Sequence, residues 1–290
     1  MAFMPRCPDG INAIVLFTMQ LSEIHIYPVK SLGSISLSEA RIERRGLQFD
    51  RRWMLIDAEN RFVTQRELPE MALFRLEIRP PFLEIFHKNR PAERLKIPLR
   101  PDWQSLPSAR LQTWSWHGQG RIHGSEAADF FSENLKTSLR LAFMPDATRR
   151  QADRQFAEKG QFVSFADAYS FLLIGQASLD FLNQKLAANG SPAVPMNRFR
   201  PNFVVSGSAS FEEDGWRAFS IDSQRFMCVK PCARCIMTTI DQETGSRSAE
   251  PLKTLATFRF FKNKVLFGQN LVWVGKGNGV LTVGVRVATA

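Results

Sequence analysis

Residues 52–64 read Arg52-Trp53-Met54-Leu55-Ile56-Asp57, then Ala58-Glu59-Asn60, then Arg61-Phe62-Val63-Thr64. An apolar run, a polar turn and a second run of aromatic and β-branched residues predict a hairpin. The same texture extends on both sides. Upstream, Ile24-His25-Ile26-Tyr27 alternates and stops at Pro28, and the segment from Ser34 to Ile42 alternates again. Downstream, Leu73 to Ile78 and Phe82 to Phe86 flank the turn signal Pro80-Pro81. Closely spaced strands with short turns argue against βαβ units and for a barrel or sandwich over residues 20 to about 115.

Beyond that point the texture turns helical. Ser125 to Leu135 opens on a capping Ser followed by Glu126, and carries Ala127, Phe130, Phe131 and Leu135 on one face. Gln176 to Leu186 repeats the period with Leu179, Leu182 and Leu186 and ends at Asn189-Gly190-Ser191-Pro192. Between them, Arg149 to Arg154 reads as an exposed basic segment. Strands are predicted again at Asn202–Ser206, Gln224–Val229, Met237–Ile240, Leu271–Val274 and Val280–Val287, with residues 274–279 as a hairpin turn. The fold class is therefore α+β and β-rich, with a β-barrel-like N-terminal domain over residues 19–125. It packs on a β-rich C-terminal domain with a few helices over residues 126–290. Residues 1–18 are expected to be a disordered or mis-assigned extension: the apolar stretch Ile11–Phe17 lacks a cleavage site, and Met19 opens a strand-like run.

Composition narrows the function. With 44% hydrophobic and 23% charged residues the chain is globular, and no apolar run approaches the roughly 20 residues a membrane span needs. Thirty-eight Lys and Arg against 28 Asp and Glu leave a net charge of +10, which favours an anionic partner or serves solubility alone. The basic residues are dispersed, with no zinc-finger or RNA-binding signature, so nucleic acid is not expected. Twenty-four Phe and 6 Trp against 2 Tyr place most aromatic surface inside. Four cysteines, Cys7, Cys228, Cys232 and Cys235, are too few for a disulfide framework and fit a reducing, cytoplasmic setting. The four histidines show no metal-binding spacing, and no nucleotide-binding or nucleophile-elbow motif is present.

The spacing of Cys228, Cys232 and Cys235 matches the iron–sulfur signature of radical enzymes, but those need an α/β barrel after the motif, and the short remainder here reads as strands. A zinc site needs a fourth ligand, and no Cys or His follows Cys235. Cys228, at a strand end, reads as structural. Cys235 lies near Lys230 and Arg234, and positive charge favours the thiolate, a soft ligand for a thiophilic transition metal. Pro231 predicts an irregular turn that presents one sulfur. Three further segments have the chemistry of anion holders: Lys30 and Ser31 after a strand, Arg51 beside Asp50, and Arg200 before Pro201 and Asn202. Each alone reads more readily as a solvated strand end than as a site.

Taken with these residues, several ordered motifs resemble a known family. Ile26-Tyr27-Pro28-Val29-Lys30-Ser31 with Asp50-Arg51-Arg52-Trp53 resembles the β-barrel domain that precedes MOSC domains. Asn197 to Phe203, Phe211 to Trp216, Cys232 to Asp241, Glu250 to Leu255 and Phe267-Gly268-Gln269-Asn270 resemble the MOSC domain itself. They are most similar to the branch holding mitochondrial amidoxime-reducing components and bacterial hydroxylaminopurine-detoxifying proteins. The resemblance implies a molybdenum cofactor, a pterin dithiolene carrying a phosphate, with Cys235 as metal ligand and catalytic residue. It implies that Lys30, Ser31, Arg51, Arg200, Asn202, Arg234 and Asn270 hold the cofactor, the last through its backbone. The Thr-Ser pair that the family often carries is Ala168-Tyr169 here. Activity would be reduction of small N-hydroxylated compounds, with electrons from a separate donor protein of flavin reductase, ferredoxin or cytochrome type. The alternative is a cofactor-binding or sulfur-carrying module without reductase activity.

Overall fold

The computed structural model describes residues 18–275 and 277–289. The readings on residues 1–17 and on Cys7 therefore lie outside the described residues. The architecture is the β-rich α+β fold expected, with three α-helices set against four sheets among the described residues.

The largest sheet has nine strands, and its middle joins distant parts of the chain. The strand Gln20–Ile26 pairs antiparallel with Phe203–Ser206, which runs parallel to Phe171–Gly175. Lys264–Trp273 pairs with Phe171–Gly175 on one side and with the long strand Gln224–Arg234 on the other. The first strand of the N-terminal segment thus belongs to the C-terminal sheet, and Gly279–Thr282 returns the exchange by pairing with Glu39–Glu43. The inward side chains of this sheet form an aromatic core: Phe171 stacks on Phe203 at 5.4 Å, and Phe226 meets both edge-on at 5.5 Å. Phenylalanine suits such positions because no polar tip needs a partner.

A second core fills the N-terminal segment. Val29, Trp53, Leu55, Phe74 and Leu83 pack there with Ala127, Phe131 and Leu135 of helix α1 (Ser125–Leu135). Helix α1 therefore packs onto the N-terminal core, which Arg140–Phe143 also joins by pairing with Trp53–Ile56. The cap differs from expectation: Gly124 is the N-cap, and Ser125 is already the first helical residue. Helix α2 (Gln176–Ala188) buries Leu179, Leu182 and Leu186, the predicted stripe.

Other predicted elements change under tertiary pairing. Arg61–Thr64 does return antiparallel on Trp53–Ile56, through the Ile56–Phe62 bridge and the Asp57 N–H to Arg61 and Val63 N–H to Leu55 bonds at 3.0 and 2.9 Å. The pairing is too short to make a strand, and the other edge of Trp53–Ile56 takes Arg140–Phe143. Met237–Ile240 is not a strand; Ile236–Thr239 forms a 3-10 turn. Val280–Val287 breaks at Gly284, whose φ of 91° suits glycine, into two strands with different partners. The strands on either side of the expected hairpin turn do not pair with each other, because Lys264–Trp273 and Gly279–Thr282 lie in different sheets. Arg150 is buried rather than exposed; its guanidinium gathers the carbonyls of Ser164, Ala166 and Asp167 at 2.7, 2.5 and 3.1 Å.

His25, His87 and His117 lie on strands, whereas His123 is partly buried and accepts a hydrogen bond from the Trp53 indole at 3.1 Å. Burial lowers its pKa to about 4. An unfolded imidazole titrates near 6.5, so between about pH 6.5 and 4 the unfolded chain takes up a proton that the folded one refuses. This contribution to stability is complete above about pH 6.5 and is lost progressively towards pH 4. His123→Gln retains an acceptor for the indole but does not titrate. Its denaturation free energy is expected to fall less steeply over that window, by about 2 kcal/mol after allowing for partial exposure. A curve parallel to that of the parent protein would refute the assignment.

Candidate active site

The residues of interest meet through backbone pairing around one turn. Arg51 N–H donates to the Tyr27 carbonyl at 2.9 Å, Trp53 N–H to Pro28 at 3.0 Å and Lys30 N–H to Trp53 at 2.8 Å. The segment Tyr27–Ser31 is thereby locked onto Arg51–Trp53. From the other side, His25 N–H donates to Asn202 at 2.8 Å and Phe165 N–H to Arg51 at 2.8 Å. A cleft of about 270 Å³ opens where these segments meet. Lys30, Ser31, Arg51, Arg200, Asn202, Arg234, Cys235 and Asn270, the eight residues singled out from the sequence, all line it.

Three of them hold unusual backbones. Ser31, Arg51 and Arg200 have φ of 66°, 49° and 56°, in the left-handed region that non-glycine residues rarely enter. Such strain, of order 1–3 kcal/mol per residue, clusters at functional sites because the surroundings enforce it. Here it aims the arginines at one ring: the guanidinium carbons of Arg51 and Arg200 each lie 4.2 Å from the centre of the Tyr27 ring. Tyr27 is fully buried, its phenol pushed up to about 12 by burial, and it donates to the Pro201 carbonyl at 3.0 Å. Arg51 also grips buried Asp50 at 2.6 Å, and Arg200 donates to the Leu32 carbonyl at 2.8 Å.

Not every cleft residue presents its polar atoms to the opening. Asn202 is 1% exposed; its amide oxygen accepts from Arg51 and Leu172, and its nitrogen donates to the His25 carbonyl. It positions Arg51. The Arg234 guanidinium clasps the carbonyls of Phe267 and Phe199, and Asn270 donates to the Lys230 carbonyl at 3.2 Å. Lys30 is buried with its ammonium on the Phe165 carbonyl at 2.9 Å and on the Asp167 carboxylate. Burial lowers the Lys30 pKa, and the partnership with Asp167 opposes that. For Asp167 burial acts upward, yet Lys30, Arg66 and the Trp114 indole together hold its carboxyl well below the usual range.

The cysteines part company. Cys228 faces Leu271 across the ladder and packs on the aromatic core, with its thiol pushed up to about 12 by burial. Burial also raises the Cys232 thiol. Pro231 is not in a turn but within Gln224–Arg234, where the register shifts between Pro231 and Ala233, a bulge that tolerates proline. Cys235 follows the strand and opens into the cleft. Its charged neighbour is not Arg234 but Arg66, whose Nη2 lies 3.4 Å from Sγ. Arg66 also meets Asp167 at 3.5 Å, and its guanidinium carbon lies 4.9 Å from the Trp114 ring centre. Among the described residues, no group of three or more His, Cys, Asp or Glu is arranged to hold a metal ion without help.

Sequence reasoning missed Arg66, Asp167, Trp114 and Arg150. One local signal was available for Arg66. Thr64-Gln65-Arg66-Glu67 has the spacing of a capping box, and the Glu67 carboxylate takes the Thr64 N–H at 2.9 Å and hydroxyl at 2.6 Å. That turn fixes Arg66, while Gln65 donates to the Ser31 carbonyl at 2.7 Å. Nothing local marks Asp167.

Residues 18–138 match the MOSC N-terminal beta barrel domain, and residues 160–288 match the MOSC domain. The chain belongs to the MOSC family. Mouse mitochondrial amidoxime-reducing component 1 is 34% identical over 249 residues, covering 82% of this chain and 71% of that protein. The human protein of the same name is 31% identical over 279 residues, covering 89% and 79%. Molybdenum cofactor sulfurase of Solanum lycopersicum is 30% identical over 265 residues, which are 86% of this chain but 32% of the sulfurase. The two MOSC segments meet at the cleft, since Lys30, Ser31, Arg51 and Arg66 come from the first and most of the remaining lining from the second. No helix among the described residues is long and apolar enough to cross a membrane.

Proposed function

We propose that this protein is a molybdenum-cofactor-binding oxidoreductase that reduces small N-hydroxylated compounds, amidoximes and N-hydroxylated bases among them. The observation that carries the reading is the Cys235 thiol opening into a cleft lined by seven cationic side chains and one carboxylate. A soft ligand beside concentrated positive charge fits a metal held by sulfur on a phosphate-bearing organic ligand. The similarity to amidoxime-reducing components supports the reaction class.

In this reading Cys235 supplies the protein's sulfur to the metal, and Arg66 fixes the direction of Sγ. Arg51 and Arg200, braced on Tyr27, hold the anionic part of the cofactor. Asp167 offsets the charge of Lys30 and Arg66, so that the cleft stays folded when empty. Reduction breaks the N–O bond, consumes two electrons and two protons, and releases water. When bound, the cofactor supplies the two-electron oxygen-atom transfer. A donor protein supplies the electrons.

Protein purified from a cofactor-competent host is expected to hold molybdenum and to reduce benzamidoxime or hydroxylaminopurine with an artificial donor. A folded protein without molybdenum would sink the reading; molybdenum without turnover would favour a carrier module.

Ser31→Gly separates folding from binding. Glycine adopts φ of 66° without strain but lacks the hydroxyl. Stability in urea is expected to stay within about 1 kcal/mol of the parent, while molybdenum content after dialysis falls. Equal retention would remove Ser31 from the cofactor's contacts.

A further inference from the structure

Among the described residues, the three most exposed large apolar side chains are Phe260, Phe261 and Ile236, at 60%, 59% and 48%. They stand on elements that pack together or share the sheet. Ile236 directly follows Cys235. Phe260 and Phe261 follow helix α3 (Leu252–Arg259), which packs against the 3-10 turn that Ile236 begins. Across the sheet, Arg234 faces Val265 and Val265 faces Phe260. Two inter-strand steps place the Phe260 backbone about 10 Å from the residue preceding Cys235.

The patch is rimmed by positive charge. Phe260-Phe261 and Lys264 close a hairpin through Lys262 and Asn263, both at positive φ. Between Pro251 and Lys264 there is no Asp or Glu, whereas Lys253, Arg259, Lys262 and Lys264 fall there. Of the nearby carboxylates, Asp214 is paired with Arg259 and accepts from Gln269, while Glu250 accepts the Thr254 N–H and keeps its charge. Among the described residues, Lys253, Lys262 and Lys264 have no ion-pair partner.

We propose that this patch is the docking face for an acidic one-electron donor protein. The inference rests on the proposed reduction, in which two electrons and two protons convert the N–OH group to N–H and water. A one-electron donor therefore docks twice per turnover and is oxidised each time. Weak redox encounters use small interfaces steered by opposite charge, with a few apolar side chains excluding water at the centre. A donor seated on Phe260 and Ile236 stands beside the strand end that carries the thiol.

The test uses the full-length, cofactor-loaded protein and, as probe, an acidic plant-type two-iron ferredoxin. Lys262→Glu with Lys264→Glu is expected to weaken ferredoxin binding by calorimetry, and to raise its KM in benzamidoxime reduction, by about ten-fold or more at low salt. Phe260→Ser with Phe261→Ser is expected to act likewise. Turnover driven by dithionite should stay within about two-fold of the parent in both variants. Unchanged ferredoxin binding in both variants overturns the proposal. So does the loss of binding to phosphatidylglycerol vesicles with ferredoxin binding intact, which would assign the patch to an anionic lipid surface. Parent protein that binds ferredoxin through these residues yet reduces no benzamidoxime with dithionite would sink the functional reading and leave the docking face standing.

Discussion

Cys235→Ala is expected to give a folded protein that purifies with little molybdenum and reduces N-hydroxylated substrate at a negligible rate. Cys235 contributes little to folding, since its side chain opens into the cleft and, among the described residues, its one polar contact is Arg66 at 3.4 Å. It contributes much to the proposed chemistry, because no neighbouring thiol takes its place: Cys228 faces the core, and burial disfavours the Cys232 thiolate. Loss of an outer-shell partner of a metal typically costs about 10–100-fold in affinity or activity, and loss of the ligand itself should exceed that. Cys228→Ala is the control, costing about 1–2 kcal/mol of packing while retaining metal and turnover. Metal analysis and an assay with an artificial donor read both. Equal losses from the two substitutions, with iron in the preparation, would instead restore the cluster reading.

Arg51→Ala is expected to carry the largest stability penalty among the cleft residues. Asp50 is 3% exposed, accepts the Tyr27 N–H at 2.8 Å and the Arg51 guanidinium at 2.6 Å, and has no other cation so close. Removing one partner of a buried ion pair strands the other, at about 3–5 kcal/mol. The pH dependence identifies the cause. Burial already raises the Asp50 pKa despite Arg51, and without the guanidinium it rises further. A carboxyl whose folded pKa exceeds its unfolded value contributes most when protonated, and that contribution is lost as pH rises through the folded pKa. The destabilisation by Arg51→Ala should therefore shrink as pH falls from 7 towards 4. A penalty independent of pH would place the damage elsewhere, in the Asn202 and Arg200 contacts. Arg51→Lys should recover part of the stability, keeping the charge but not the fork. Cofactor retention should fall about ten-fold or more in the alanine variant, the equivalent of one charge-assisted hydrogen bond.

The apolar periods of Ser125–Leu135 and Gln176–Leu186 determined two helices, and alternation around Pro80-Pro81 determined a hairpin, because these patterns act within one or two turns of chain. The motifs also singled out Cys235, Lys30, Arg51 and Arg200, which one cleft brings together. Tertiary structure decided what those residues touch. Gln20–Ile26 could not be read as a member of the C-terminal sheet, since its ladder with Phe203–Ser206 spans most of the chain. The 3-10 turn after Cys235 overrode a strand-like stretch, and a buried pairing with three carbonyls drew Arg150 out of an exposed-looking basic segment. Arg66 became the companion of Cys235 only because the fold brings a turn 169 positions away to within 3.4 Å of the sulfur. Local propensity carries no record of such contacts. They exist because burying two aromatic cores forces distant strands together, and the charges at the seam between them then find partners that no neighbouring residue predicts.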